Sequence, residues 1–160
     1  MNSLLIQVLA GCVLLLFIYV SIRKADADGF FPTLCTTGVL YAAFRFAYVQ
    51  WRDSYSFLIE RLGMDSENAL ERATLLSASY WLGFVVILLP AMFYVKLLTR
   101  EPAPFPGWLE QGGRFVLGVV CGVLFFLVIL NGFSRFAFFQ EHLQPALSPF
   151  QTVLHLFQVL

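Results

Sequence analysis

Four long apolar runs, at residues 3–22, 30–49, 73–95 and 115–133, alternate with shorter polar stretches along the chain. A helix rises ~1.5 Å per residue, so about 20 apolar residues cover a ~30 Å hydrocarbon core. Arg45 is the one charged residue inside the four runs. The pattern predicts an all-α fold: an integral membrane bundle of four transmembrane helices, forming a single domain over residues 1–160.

The first run is Leu, Ile and Val nearly throughout, with Gly11 in its middle, and closes at Arg23-Lys24. The connection Ala25–Gly29 is short, which predicts that helices one and two are antiparallel neighbours. The second run opens with Pro32 in its first turn and is rich in small and hydroxylated residues, including Thr33, Thr36, Thr37, Gly38 and Ala42. Such residues mark a face packed on another helix, and Gly38 and Ala42 are its candidate contacts. Pro90 lacks a ladder N–H and predicts a kink near the exit of the third run. The fourth opens with Gly112-Gly113-Arg114 and carries Gly118-Val-Val-Cys-Gly122. That spacing sets two glycines on one helix face and leaves a groove for another backbone, in this chain or in a second copy.

In the connection at 52–72, Tyr55, Leu58, Ile59 and Leu62 recur at helical spacing and predict a short interfacial helix. Gly63 would end it, and Asp65-Ser66 with Glu67 and Glu71 reads as the capped start of the third helix. Pro102, Pro104 and Pro106 predict a stiff, extended link before the fourth. In the tail, Ser148-Pro149 starts a segment with Phe150, Val153, Leu154 and Phe157 on one face. It predicts an amphipathic helix over 148–158 lying in the interface plane.

Composition agrees with a membrane setting: 59% of residues are hydrophobic and 12% charged, against ~45–50% and ~25% in soluble domains. Mean hydropathy is +0.79. Ten basic and ten acidic residues cancel and form no polybasic tract, so nucleic acid is not expected as a partner. The expected partners are the lipid bilayer and either further copies of the chain or other membrane proteins. Ala25-Asp26-Ala27 has the form of a signal-peptidase site, but residues 1–10 carry no Lys or Arg and the apolar run is too long, so cleavage is not expected. Basic residues near the ends of the runs lean, by the positive-inside rule, toward both termini facing outward.

No Gly-rich phosphate loop, H-E-x-x-H or G-x-S-x-G occurs. Cys12, Cys35 and Cys121 lie inside apolar runs without CxxC spacing, and His142 and His155 stand alone in the tail. Neither a metal, a cofactor nor a catalytic residue is therefore expected, and the chain reads as non-enzymatic. Arg45 has three readings, one of them an ion pair with a loop acid such as Asp53 or Glu60. Its long stem lets it snorkel to the headgroups near Trp51 and Arg52. Alternatively, several copies surround a transport path lined by Thr33, Thr36, Thr37 and Arg45.

The stretch Arg114-Phe-Val-Leu-Gly118-Val-Val-Cys-Gly122-Val-Leu resembles the last transmembrane helix of the colicin V production protein (CvpA) family of small bacterial inner-membrane proteins. Length, four runs, Arg23 after the first run and the amphipathic tail are similar too. The family's usual Arg-Gly after this pattern is replaced by Phe125-Phe126, and its preceding acid by glycine. The resemblance implies a non-catalytic inner-membrane protein needed for bacteriocin production or export and envelope upkeep, with no catalytic residues to carry over.

Overall fold

In hydrocarbon every backbone N–H and C=O must be satisfied within the chain, which leaves these apolar runs little choice but helix. A computed structural model describes residues 3–62, 69–99, 105–134 and 150. Among them all regular structure is α-helical: α1 (Ser3–Asp28), α2 (Phe30–Leu62), α3 (Ala69–Leu98) and α4 (Gly107–Phe133).

The helices outrun the apolar pattern. α1 continues through Arg23 and Lys24 to Asp28, so the expected five-residue connection is helical except for Gly29. Gly29 has φ 95°, a left-handed conformation suited to glycine, and its N–H still bonds Ala25 O at 3.0 Å. Helix α2 resumes at once, with Thr33 N–H donating to Gly29 O at 3.3 Å. It then runs unbroken to Leu62, so no separate interfacial helix lies at 52–62: the segment continues α2, because no Gly or Pro interrupts residues 49–62. α3 is likewise continuous across Pro90. α4 begins at Gly107, well before the fourth apolar run, directly after Pro106, whose carbonyl accepts the Leu109 and Glu110 N–H groups at 2.9 Å. The expected third-helix cap at Asp65-Ser66 and the tail helix at 148–158 fall outside the described residues, except for Phe150.

Among the described residues, three helices are long and apolar enough to cross a membrane: α1 from Leu4, α3 from Arg72, and α4 over its whole length. α2 is the longest, at 33 residues or about 50 Å, but it is diluted by Pro32, its threonines and Arg45.

Packing does not follow chain order. α1 pairs chiefly with α4 and α2 with α3, while α4 also lies along α2. The spatial order is therefore α1, α4, α2, α3, and α1 meets its sequence neighbour α2 only slightly, which corrects the expectation that the two pack side by side. A tight turn fixes direction but not contact; the glycine seam of α4 offers α1 a closer partner. Gly118 faces Ile22 and Gly122 faces Ile18, a falling register that makes α1 and α4 antiparallel.

α4 is buried over more than half its apolar stretch and α1 over very little. One core cluster joins Leu40, Ala43, Phe44 and Ala47 of α2 to Tyr80 and Phe84 of α3 and to Cys121, Leu124 and Val128 of α4. The other joins Ile6 of α1 to Phe126, Leu127 and Leu130 of α4, with the Phe150 ring 5.5 Å from that of Phe126. Ser77 Oγ donates to Gly132 O at 3.1 Å and Tyr80 Oη to Val128 O at 3.4 Å, tying α3 to α4.

Candidate functional site

The α1–α4 seam accounts for the glycine pair. A Cβ placed on Gly118 would sit 2.8 Å from Ile22 Cα, and one on Gly122 2.5 Å from Ile18 Cα. Both obstacles are backbone, so only glycine permits this approach without moving a helix. Of the two partners the spacing left open, the structure seats one from the same chain. Gly38 and Ala42 are placed differently: both are exposed, and nothing lies within 4 Å of a Gly38 Cβ. No helix of this chain packs on that face among the described residues. The small residues of α2 that are buried are Ala43 and Ala47, which share a face with Leu40 and Phe44.

At the Gly29 end a charged clasp locks the seam. Arg114 Nε donates to Glu110 Oε1 at 3.1 Å, Arg114 Nη2 bonds the same oxygen, and Nη1 donates to Asp26 O at 3.3 Å. The same carboxylate oxygen accepts the Phe30 N–H at 3.3 Å, satisfying a donor the start of α2 leaves unpaired. The Phe30 ring covers Gly113, and Phe105 meets it edge-on at 5.1 Å. Glu110 four residues before Arg114 is legible as a helical pair; that it also reaches α2 is not.

Because α1 leans on α4 and α3 on α2, a wedge opens between the C-terminal ends of α1 and α3. It is a cavity of about 540 Å³ between Lys24 and Asp28 of α1, Pro32 and Thr36 of α2, and Met92, Phe93 and Lys96 of α3. A smaller recess of about 30 Å³ shares Lys24, Asp28 and Thr36 and reaches inward to Ser21, Thr33 and Cys121. Two threonine hydroxyls of α2 are engaged by their own helix: Thr33 Oγ1 donates to Gly29 O at 2.7 Å and Thr37 Oγ1 to Thr33 O at 2.8 Å.

Arg45 does not join this group. It lies nine residues beyond Thr36, about 13 Å along the axis and half a turn around it. Thr33 and Thr37 are buried within the chain, so they cannot line a path between copies with Arg45. The half-buried Arg45 sits near the midpoint of α2 rather than at its end. Its neighbour Phe44 packs against Tyr80 and Phe84, themselves mid-way along α3, so Arg45 stands near mid-height of the bundle.

Sequence reasoning passed over Asn131. It is 4% exposed near the end of α4, and its Nδ2 has no hydrogen-bond partner among the described residues. Cys121 is buried, Cys12 is exposed on the outer face of α1, and the described residues hold no cluster of three or more metal-ligating side chains. No family model, no curated protein and no solved structure matches the chain.

Proposed function

We propose that this chain is a four-span integral membrane protein that works without catalysis, as a subunit or scaffold of a larger membrane assembly. The observation that carries this reading is the use made of its helices. Three are long and apolar enough to cross a bilayer, and α1 turns Leu4, Leu5, Leu15 and Leu16 outward at 53–68% exposure. Lipid is the medium in which such a surface is stable. α2 serves as the fourth span: α3 and α4 cover one of its faces, so less of it needs to be apolar.

The end bearing Arg23, Lys24, Lys96 and Arg114 faces the cytoplasm by the positive-inside rule, which puts the α1 start outside. Gly118 and Gly122 are consumed within the chain, so the open Gly38 and Ala42 positions on α2 are where a second copy approaches. The resemblance around Arg114–Leu124 sets the assembly in bacteriocin production or export at the inner membrane. Its basic residue and glycines serve packing here, so it adds a setting and no chemistry.

Single cysteines test the fourth span, after Cys12, Cys35 and Cys121 are replaced by serine. Asp28→Cys, at the end of α1 just before the turn into α2, and Glu60→Cys, about 45 Å along α2 from its start, should react with an impermeant maleimide from opposite sides of sealed vesicles. Labelling of both from one side would overturn α2 as a span.

A further inference from the structure

We propose that the wedge between α1 and α3 is a binding site for an anionic phospholipid, with the phosphate between Lys24 and Lys96. The inference rests on the membrane reading above and adds a ligand to it. Lys24 and Lys96 are 72 residues apart in sequence, yet they rim the same cavity, with Asp28 the single acid among the described residues that line it. The lining therefore carries a net positive charge, with the Thr36 hydroxyl at hand for a phosphate oxygen.

Depth favours a lipid over a soluble anion. Lys24 closes the apolar run of α1 and Lys96 that of α3, which is headgroup level for both helices. Below the lysines the surface turns apolar on the same two faces. Phe93 lines the wedge, and Leu89, one turn back on α3, is 66% exposed; Val20, one turn back from Lys24 on α1, is 54% exposed. A phosphate seated on the lysines would thus lay its acyl chains down a track already facing outward. About 540 Å³ accommodates a headgroup and the first carbons of its chains.

The test equilibrates the full chain, extracted in mild detergent, with equal phosphatidylglycerol and phosphatidylcholine, and measures the lipid retained after gel filtration by native mass spectrometry. Phosphatidylglycerol should be retained in preference, and the preference should fall about fivefold per lysine removed, the scale of one surface charge at an anionic leaflet. Lys24→Gln/Lys96→Gln should abolish it, while Lys24→Arg/Lys96→Arg and Arg72→Gln at the far end should keep it. Equal retention of both lipids by the unaltered chain overturns the site, as does a preference that survives the glutamine pair or retention lost to millimolar inorganic phosphate. Should the glutamine pair lose helicity, Met92→Trp, which fills the wedge and spares both lysines, decides instead: undiminished phosphatidylglycerol overturns the proposal. A chain that stays folded and monodisperse without detergent fails the membrane reading itself; a detergent-dependent chain with no lipid preference fails only this inference.

Discussion

Replacing Gly122 by alanine adds a single methyl group at the tightest point of the α1–α4 seam. That carbon would lie 2.5 Å from Ile18 Cα, 2.8 Å from Ile18 N and 2.9 Å from Phe17 O. Carbon contacts settle at about 3.5–4.0 Å, so the helices must part by roughly 1 Å. No rotamer change relieves the clash, because every obstacle is main chain. Overpacking of this kind costs about 1–3 kcal/mol, and a gap of that width forfeits about a quarter to a half of the dispersion across the seam. The matched control is Gly38→Ala, also within a helix but with no atom within 4 Å of the new carbon. There alanine should gain about 0.5–1 kcal/mol from helix propensity alone. Gly122→Ala receives the same propensity gain, so the two variants should differ by the overpacking alone, about 1–3 kcal/mol, read by unfolding in a mixed-detergent titration, with Gly122→Leu worse still. Equal stability of Gly122→Ala and Gly38→Ala would refute the seam.

Gly29→Ala forces a side chain into positive φ and should cost about 1–2 kcal/mol, while Gly29→Asn should cost less; indifference to both, by the same unfolding assay, would show that the turn is not held as described. Asn131→Leu removes a buried Nδ2 that has no partner among the described residues and should leave stability unchanged or raise it by up to about 1–3 kcal/mol; a marked loss would reveal a partner for Nδ2. Ser77→Ala deletes the bond to Gly132 O and should cost about 0.5–1.5 kcal/mol. Gly38→Leu should lower the yield of crosslinked copies in native membranes without affecting the monomer's melting; an unaltered yield removes that face from self-association.

Hydrophobic patterning located the four described helices but not their ends, and it split off residues 52–62, which continue α2. Arg23–Asp28, Trp51–Leu62 and Gly107–Arg114 are helical although charged or polar, because an apolar run marks where lipid begins and ends, whereas a helix stops only where its backbone is interrupted. Partner choice was harder to read. The short turn at Gly29 suggested that α1 packs on α2, but the seam at Gly118 and Gly122 takes α1 away to α4. The same kind of signal did not say which face of α2 is buried within the chain. Gly38 and Ala42 are small, but the buried face runs one residue further on, through Ala43 and Ala47, a rotation of about 100° that composition cannot resolve. The wedge was invisible for a related reason: it exists because two helix pairs splay apart, and Lys24 and Lys96 say nothing of that singly.

The place of α4 at the centre has a consequence for biosynthesis. At about 5–20 residues per second, the roughly hundred residues separating α1 from its partner take on the order of 5–20 s to emerge from a ribosome. Throughout that delay α1 must stand in the bilayer unaccompanied. Its even coat of Leu, Ile and Val, with no polar stripe awaiting a mate, suits it to wait; α2, with threonines and an arginine, gains a companion sooner, in α3. A nascent chain arrested before Gly118 would hold α1 without its seam partner and α2 and α3 without their hub, so the bundle closes only once α4 has emerged.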